Sequence, residues 1–158
     1  MKKKAIIRAV AVVAITGLLA GGGIGLYLFN IPHRDVQSAK TDYSLTTTQI
    51  VLEYLSDKSA ANTKYLASDG DSKILEITGE VYKITEDYDG LKVVLLKGND
   101  DKAGVSASFT RETNQNLADI EPGQVITVKG VIRSGAASDE DLGIYENVIL
   151  EKSDVVKK

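Results

Sequence analysis

The pattern of apolar and polar positions changes its period twice along the chain. From Ala9 to Phe29 the 21 residues AVAVVAITGLLAGGGIGLYLF carry no charge, and as a helix rising 1.5 Å per residue such a run is about 31 Å long, the thickness of a bilayer hydrocarbon core. It predicts a membrane-spanning helix within residues 1–29. Residues 30–43 mix Pro, Asp, Gln, Ser, Lys and Thr with few apolar positions, the composition of a solvated tether. Thr46 with Gln49 three residues on fits a capping box, and Ile50, Val51, Tyr54 and Leu55 recur at helical spacing; together they predict a helix over Thr47–Ser56. Ser59 caps a second short helical piece running through Lys64, Tyr65 and Leu66, and Ala67 to Ser72, with Asp69-Gly70-Asp71, is a turn.

Past Ser72 the period becomes that of strands. KILEITGEVYKITED alternates through Leu75 and Ile77 and then, beyond Gly79, through Tyr82 and Ile84. The phase therefore slips at the glycine, as a β-bulge would make it do. Asp89-Gly90 signals a hairpin, and Leu91–Lys97 is the return strand with Leu91, Val93 and Leu95 on one face. Val105–Thr110 alternates again, with Val105, Ala107 and Phe109 inward. A helical turn over Asn116–Glu121 uses Leu117 and Ile120 as its apolar contacts and stops at Pro122-Gly123. Strands over Val125–Arg133 and Tyr145–Lys152 follow, separated by the polar, acidic loop Ser134–Gly143. A helix, three strands, a short helix and two strands, with the first strand bent at glycine, predict a mainly β domain over residues 44–158. This is the layout of a five-stranded OB-fold, a Greek-key barrel that closes on itself.

These segments also resemble a family. KYL at Lys64–Leu66, EITGEV at Glu76–Val81, GVSASF at Gly104–Phe109, GQVITVKG at Gly123–Gly130 and ENVIL at Glu146–Leu150 are similar, in order and spacing, to the tRNA_anti-like group of bacterial OB-fold proteins. The resemblance covers Tyr43 to Lys152 and implies the fold, with a likeness to anticodon-binding OB domains that does not extend to a ligand. Members often carry a hydrophobic N-terminal segment. Two departures stand out: Ala67–Asp71 appear as an insertion, and Ala107 stands where members often have cysteine.

Charge then sets a topology. Four of the 19 basic residues, Lys2, Lys3, Lys4 and Arg8, precede His33 and none of the 22 acidic residues does, so the rest of the chain carries 15 basic groups and a formal charge of −7. Positive charge on the N-terminal flank predicts a single-pass protein of the bacterial cytoplasmic membrane with its domain on the extracytoplasmic side. A cleaved signal peptide ending in the small residues Ala20–Gly23 is the alternative. The apolar run continues through Ile24, Leu26, Leu28 and Phe29, which favours a retained anchor. No cysteine is present to take a lipid. Gly17, Gly21 and Gly25 are spaced by four, the small-residue pattern through which two spans form a homodimer.

Few tools for catalysis remain. With no cysteine and a single histidine, His33, at the membrane exit, thiol, imidazole and Cys-based zinc chemistry are excluded from the barrel. No Gly-rich phosphate loop or paired-carboxylate spacing appears, so the chain reads as a non-enzyme with no cofactor. The acidic turns at Asp69/Asp71, Glu86/Asp87/Asp89, Asn99/Asp100/Asp101 and Asp139/Glu140/Asp141 raise calcium. The best of them, read as an EF-hand loop, has Thr85 for the first Asp and Leu96 for the last Glu, which fails that pattern. What remains is binding: a protein or carbohydrate partner on the barrel face, or on the loops Asp87–Leu91 and Ser134–Tyr145. The candidate contact residues are Tyr82, Tyr88, Lys92, Arg133 and Tyr145. Single-stranded nucleic acid is the alternative ligand, and an envelope assembly factor acting by self-association is a third reading. Nucleic acid is disfavoured by the acidic domain and by the expected outer positions Lys92, Val94, Leu96, Ser106, Ser108 and Thr110, which include no aromatic for stacking.

Overall fold

A computed structural model describes residues 35–139 and 141–157. The apolar segment, with Gly17, Gly21 and Gly25, and the start of the tether lie outside the described residues. Among the described residues no helix is long and apolar enough to cross a membrane.

The domain unit begins at Val36, earlier than composition suggests. Val36 is buried, and Lys129 Nζ donates to the carbonyls of Gln37 and Ala39 at 3.0 and 2.6 Å. Strand β1 (Tyr43–Thr46) then leads straight into helix α1 (Thr47–Ser56). The start of α1 is set by the expected capping box: Thr46 Oγ1 accepts from the Gln49 amide, and the Gln49 side chain accepts from the Thr46 amide. Ile50, Val51 and Tyr54 turn one face of α1 into the core. The second helix, α2 (Lys58–Tyr65), is capped by Asp57, not Ser59: the Asp57 carboxylate accepts from the Ala60 amide at 2.9 Å. A carboxylate at this position also faces the positive end of the helix dipole, which a serine would not exploit.

The two helices are tied by Glu53, whose carboxylate accepts from Lys64 Nζ at 2.8 and 3.1 Å and from the Tyr65 hydroxyl at 2.8 Å. The Lys64 hydrogen bonds, reinforced by Tyr65, hold the Glu53 carboxyl below the usual carboxylate range against the opposing effect of burial. A lowered folded-state value means that this contribution is present above the unfolded carboxylate pKa and is lost as pH falls through the folded one. Both ionic side chains are more than a third exposed, so the effect is on the order of 0.2–1 kcal/mol. The urea midpoint of Glu53→Gln is therefore expected to lie below that of the parent at pH 7 and to converge with it as acid protonates the folded carboxylate; a gap that stays constant as pH falls to the acid limit of the fold would contradict the assignment.

The barrel is built from β2 (Ile74–Glu86), β3 (Lys92–Leu96), β4 (Val105–Phe109), β5 (Val125–Ser134) and β8 (Val148–Val155). Around the barrel the order is β2-β3-β4-β8-β5, closed by β2 pairing with β5. The long β2 makes this closure possible. Its first half, Ile74–Glu80, pairs antiparallel with β5, and its second half, Val81–Glu86, with β3. The β4–β8 pairing is parallel, while the other barrel pairs are antiparallel. Five closed strands with a turn of 3-10 helix at Asn114–Leu117 between the third and fourth are the expected OB-fold layout. The turn lies slightly earlier than the sequence suggests, and Thr113 anchors it by donating to the Ser153 carbonyl at 2.7 Å.

Three features differ from the sequence reading. The phase slip lies at Tyr82 and not at Gly79: Val81 faces Leu96 and Lys83 faces Leu95, so Tyr82 is the extra residue. Gly79 keeps regular register with Ile126 and is needed for another reason, because a Cβ there would run into Thr47 Oγ1 at the start of α1. On β3 the buried residues are Val94 and Leu96, while Leu91, Val93 and Leu95 are half-exposed. Finally, the loop expected over Ser134–Gly143 and the start of the last strand form a two-stranded arm, β6 (Ala137–Asp139) with β7 (Ile144–Glu146). The last strand is interrupted at Asn147, whose Oδ1 accepts from the Gly104 amide at 2.8 Å.

Candidate binding face

The bulge decides what the outer face of the barrel presents. With one extra residue in β2, Tyr82, 56% exposed, and the next residue, Lys83, both turn outward, where regular alternation from Val81 would have placed Lys83 against the core. Lys83 beside it is exposed, and Lys97 Nζ sits 5.8 Å from the centre of the Tyr82 ring. From there the register carries a row across the sheet: Lys83 faces Leu95, Leu95 faces Ser106, Ser106 faces Ile149, and Ile149 faces Ser134. Neighbouring strands lie about 4.8 Å apart, so β2 and β8 are separated by about 14 Å measured along the sheet.

Tyr145 stands at the far end of this row. It is half-buried against the core and lines a cleft of about 450 Å³ with Ser106, Ser134, Glu146, Asn147 and Ile149. Lys102 Nζ lies 5.3 Å from its ring centre. Each end of the row is therefore a tyrosine with a lysine over one face, an arrangement favoured by the ring's negative face. Between them lie hydroxyls and short aliphatic side chains.

Of the five residues expected from sequence, Tyr82 and Tyr145 belong to this row. Arg133 lies beside it on β5, exposed, with its Nε 3.9 Å from a Glu151 carboxylate oxygen. Tyr88 and Lys92 do not join them. Tyr88 is fully exposed at the tip of the β2–β3 hairpin, whose turn is held by the Asp87 carboxylate accepting from the Asp89 and Leu91 amides and by Gly90 at φ 74°. Lys92 is half-buried at the foot of that hairpin, its amide donating to Asn114 Oδ1 at 2.7 Å. Register places this end of β3 beside Ser108 and Phe109 of β4, away from the Ser106 end. Lys97, Lys102, Leu95 and Ile149 were not singled out from sequence. Ile149 was findable, since Val148 and Leu150 are buried and alternation puts it outward. The two lysines depend on turn geometry that no local pattern signals. Among the described residues no group of three carboxylate or imidazole side chains is arranged to hold a metal ion.

A closed five-stranded barrel with helices α1 and α2 defines an OB-fold domain. The chain belongs to the tRNA_anti-like family, whose sequence profile matches residues 1–141. Among solved structures it is similar to a Klebsiella pneumoniae protein described as a "putative nucleic acid-binding lipoprotein". That match has 18% identity and a TM-score of 0.53, covering 80% of this chain and all of the other; at that identity it shows the fold alone. Weaker likenesses are to yeast Stn1 and Ten1, at 15% identity and a TM-score of 0.38 over 78% of this chain and 66% of that one. Entamoeba histolytica asparaginyl-tRNA synthetase matches at 15% identity and a TM-score of 0.38, over 54% of this chain and 21% of that one. These two are too distant to bear on the fold. No curated protein matches the sequence.

Proposed function

We propose that the chain is a non-enzymatic binding module that holds a single-stranded nucleic acid across the row from Tyr82 to Tyr145. The observation that carries this reading is the pairing of a tyrosine with a lysine at both ends of the row. Phosphates need counter-charge and bases need a flat surface, and the two pairs supply both at separated points. The outer face of the second and third barrel strands is also where OB-folds commonly take oligonucleotides and oligosaccharides. In this reading Ser106 and Ser134 donate to the strand between the platforms, and the apolar segment 9–29 anchors the module at the extracytoplasmic side of the cytoplasmic membrane.

A protein or carbohydrate ligand is the second reading. It is favoured by the carboxylates of Glu146 and Glu151, which stand on the same face, and by the acidic domain, both of which a neutral ligand tolerates. The full-length protein in detergent micelles, titrated with fluorescent oligo-dT, separates the two. Nucleic-acid binding predicts that Lys97→Ala and Lys102→Ala each flatten the log–log salt dependence by about 0.7. Tyr82→Ala is expected to weaken binding by about 1–3 kcal/mol. No retention of oligo-dT at low salt, together with salt-independent binding of a neutral oligosaccharide, would replace the first reading by the second.

A further inference from the structure

We infer that the β6–β7 arm of one copy seats on the Tyr82–Tyr145 row of a second copy, so that self-association and ligand binding compete for one face; the competition rests on the reading just given. The arm leaves the barrel as an extension of the β5–β8 pair and is held by three residue pairs, Ala137 with Glu146, Ser138 with Tyr145 and Asp139 with Ile144. A two-stranded hairpin hides few apolar groups between its own strands. Yet Leu142 is 69% and Ile144 54% exposed, and around them Asp139, Asp141 and Glu146 are exposed as well. Apolar side chains grouped together and rimmed by charge mark a contact surface. Here the rim is acidic, so the complementary surface is apolar with a basic rim.

The row matches this on balance: Leu95 and Ile149 flank Ser106 at its middle, and the four cations Lys83, Lys97, Lys102 and Arg133 outnumber the carboxylates of Glu146 and Glu151 on the same face, on a domain whose formal charge is otherwise negative. Arm carboxylates seated there stand where the phosphates of a nucleic acid strand would. Arm and row also adjoin, since Tyr145 and Glu146 of the arm line the cleft with Ser106, Ser134 and Ile149. A two-fold axis between copies therefore brings both arms onto both rows, and the contact closes without leading to a filament.

The chain has no cysteine, so introduced thiols report the contact directly. Full-length Leu142→Cys and Leu95→Cys chains are mixed in detergent micelles and oxidised, with Val125→Cys, exposed at the opposite end of β5, as the control partner for Leu142→Cys. A mixed disulfide dimer is expected with Leu95→Cys and only background with Val125→Cys. Equal yields overturn the inference, even if the chains associate through their apolar segments. Added oligo-dT is expected to suppress the crosslink; a bound oligonucleotide that leaves the yield unchanged overturns the competition. Where half the parent chains are paired, the arm variant Leu142→Ser/Ile144→Ser is expected to bind oligo-dT about twofold more tightly. Failure of oligo-dT to bind even that variant removes the ligand reading alone, and the crosslink then decides the contact by itself.

Discussion

Gly135→Val is expected to lower the stability of the protein by about 3 kcal/mol or more, the upper end of what overpacking a close contact costs. Gly135 lies where β5 turns into the arm, and a Cβ built there falls within the ring of Tyr54. Tyr54 has little room to retreat. It is 1% exposed and stacks on Tyr65 at a centroid distance of 6.0 Å. Its hydroxyl has no hydrogen-bond partner among the described residues, and burial pushes that phenol up to about 12. Shape, rather than a polar contact, thus holds α1 against the root of the arm. Tyr54→Ala removes the obstruction at its own cost of about 3–5 kcal/mol, so the double variant should be clearly less destabilised than the sum of the two singles. Urea denaturation of the four proteins measures this coupling, and additive losses would show that Tyr54 and Gly135 do not share the space.

Leu150→Ala should cost about 2–5 kcal/mol, out of a total that for domains of this kind is about 5–15 kcal/mol. Leu150 is fully buried in β8, facing Ala107 of β4 on one side and Ile132 of β5 on the other. On the β4 side the neighbour is Ala107, too short to fill the gap. The urea midpoint should fall while the slope of the transition stays as in the parent, since the same surface is exposed on unfolding. A reduced slope would mean that the barrel had opened before unfolding. Because β8 also carries Ile149 and Glu151, an opened barrel would disperse the Tyr82–Tyr145 row, and on the proposed reading oligo-dT binding would fall along with stability.

Much of this architecture was legible in the residues because it rests on short-range rules. Thr46 and Gln49 mark the start of α1 through a reciprocal pair of hydrogen bonds three residues apart, and Val105, Ala107 and Phe109 declare their face by simple alternation. The five-stranded barrel layout followed from the number and sequence of elements. What was not legible depends on partners distant in the chain. Gly79 signals a backbone peculiarity, but only the approach of Thr47 shows that the peculiarity is close contact and not a bulge. The bulge at Tyr82 arises from how β2 shares its length between β5 and β3, and nothing local announces it. In β3, the run Val93–Leu96 has no polar residue to reveal which face is inside. The binding row inherits both uncertainties. Tyr82 and Tyr145 were recognisable as aromatic residues near loops, whereas the lysines over them come from turns whose course is set by the assembled barrel.

The parallel seam between β4 and β8 also has a consequence for how the protein is made. Translation delivers β2 to β5 well before Val148–Val155, so a nascent chain carries the borders of β4 and β5 uncovered until the last of the barrel strands leaves the ribosome. Ribosomes pausing ahead of Val148 would expose two adhesive strands at once. An unfinished chain of this barrel is therefore more prone to edge-to-edge association than a finished one.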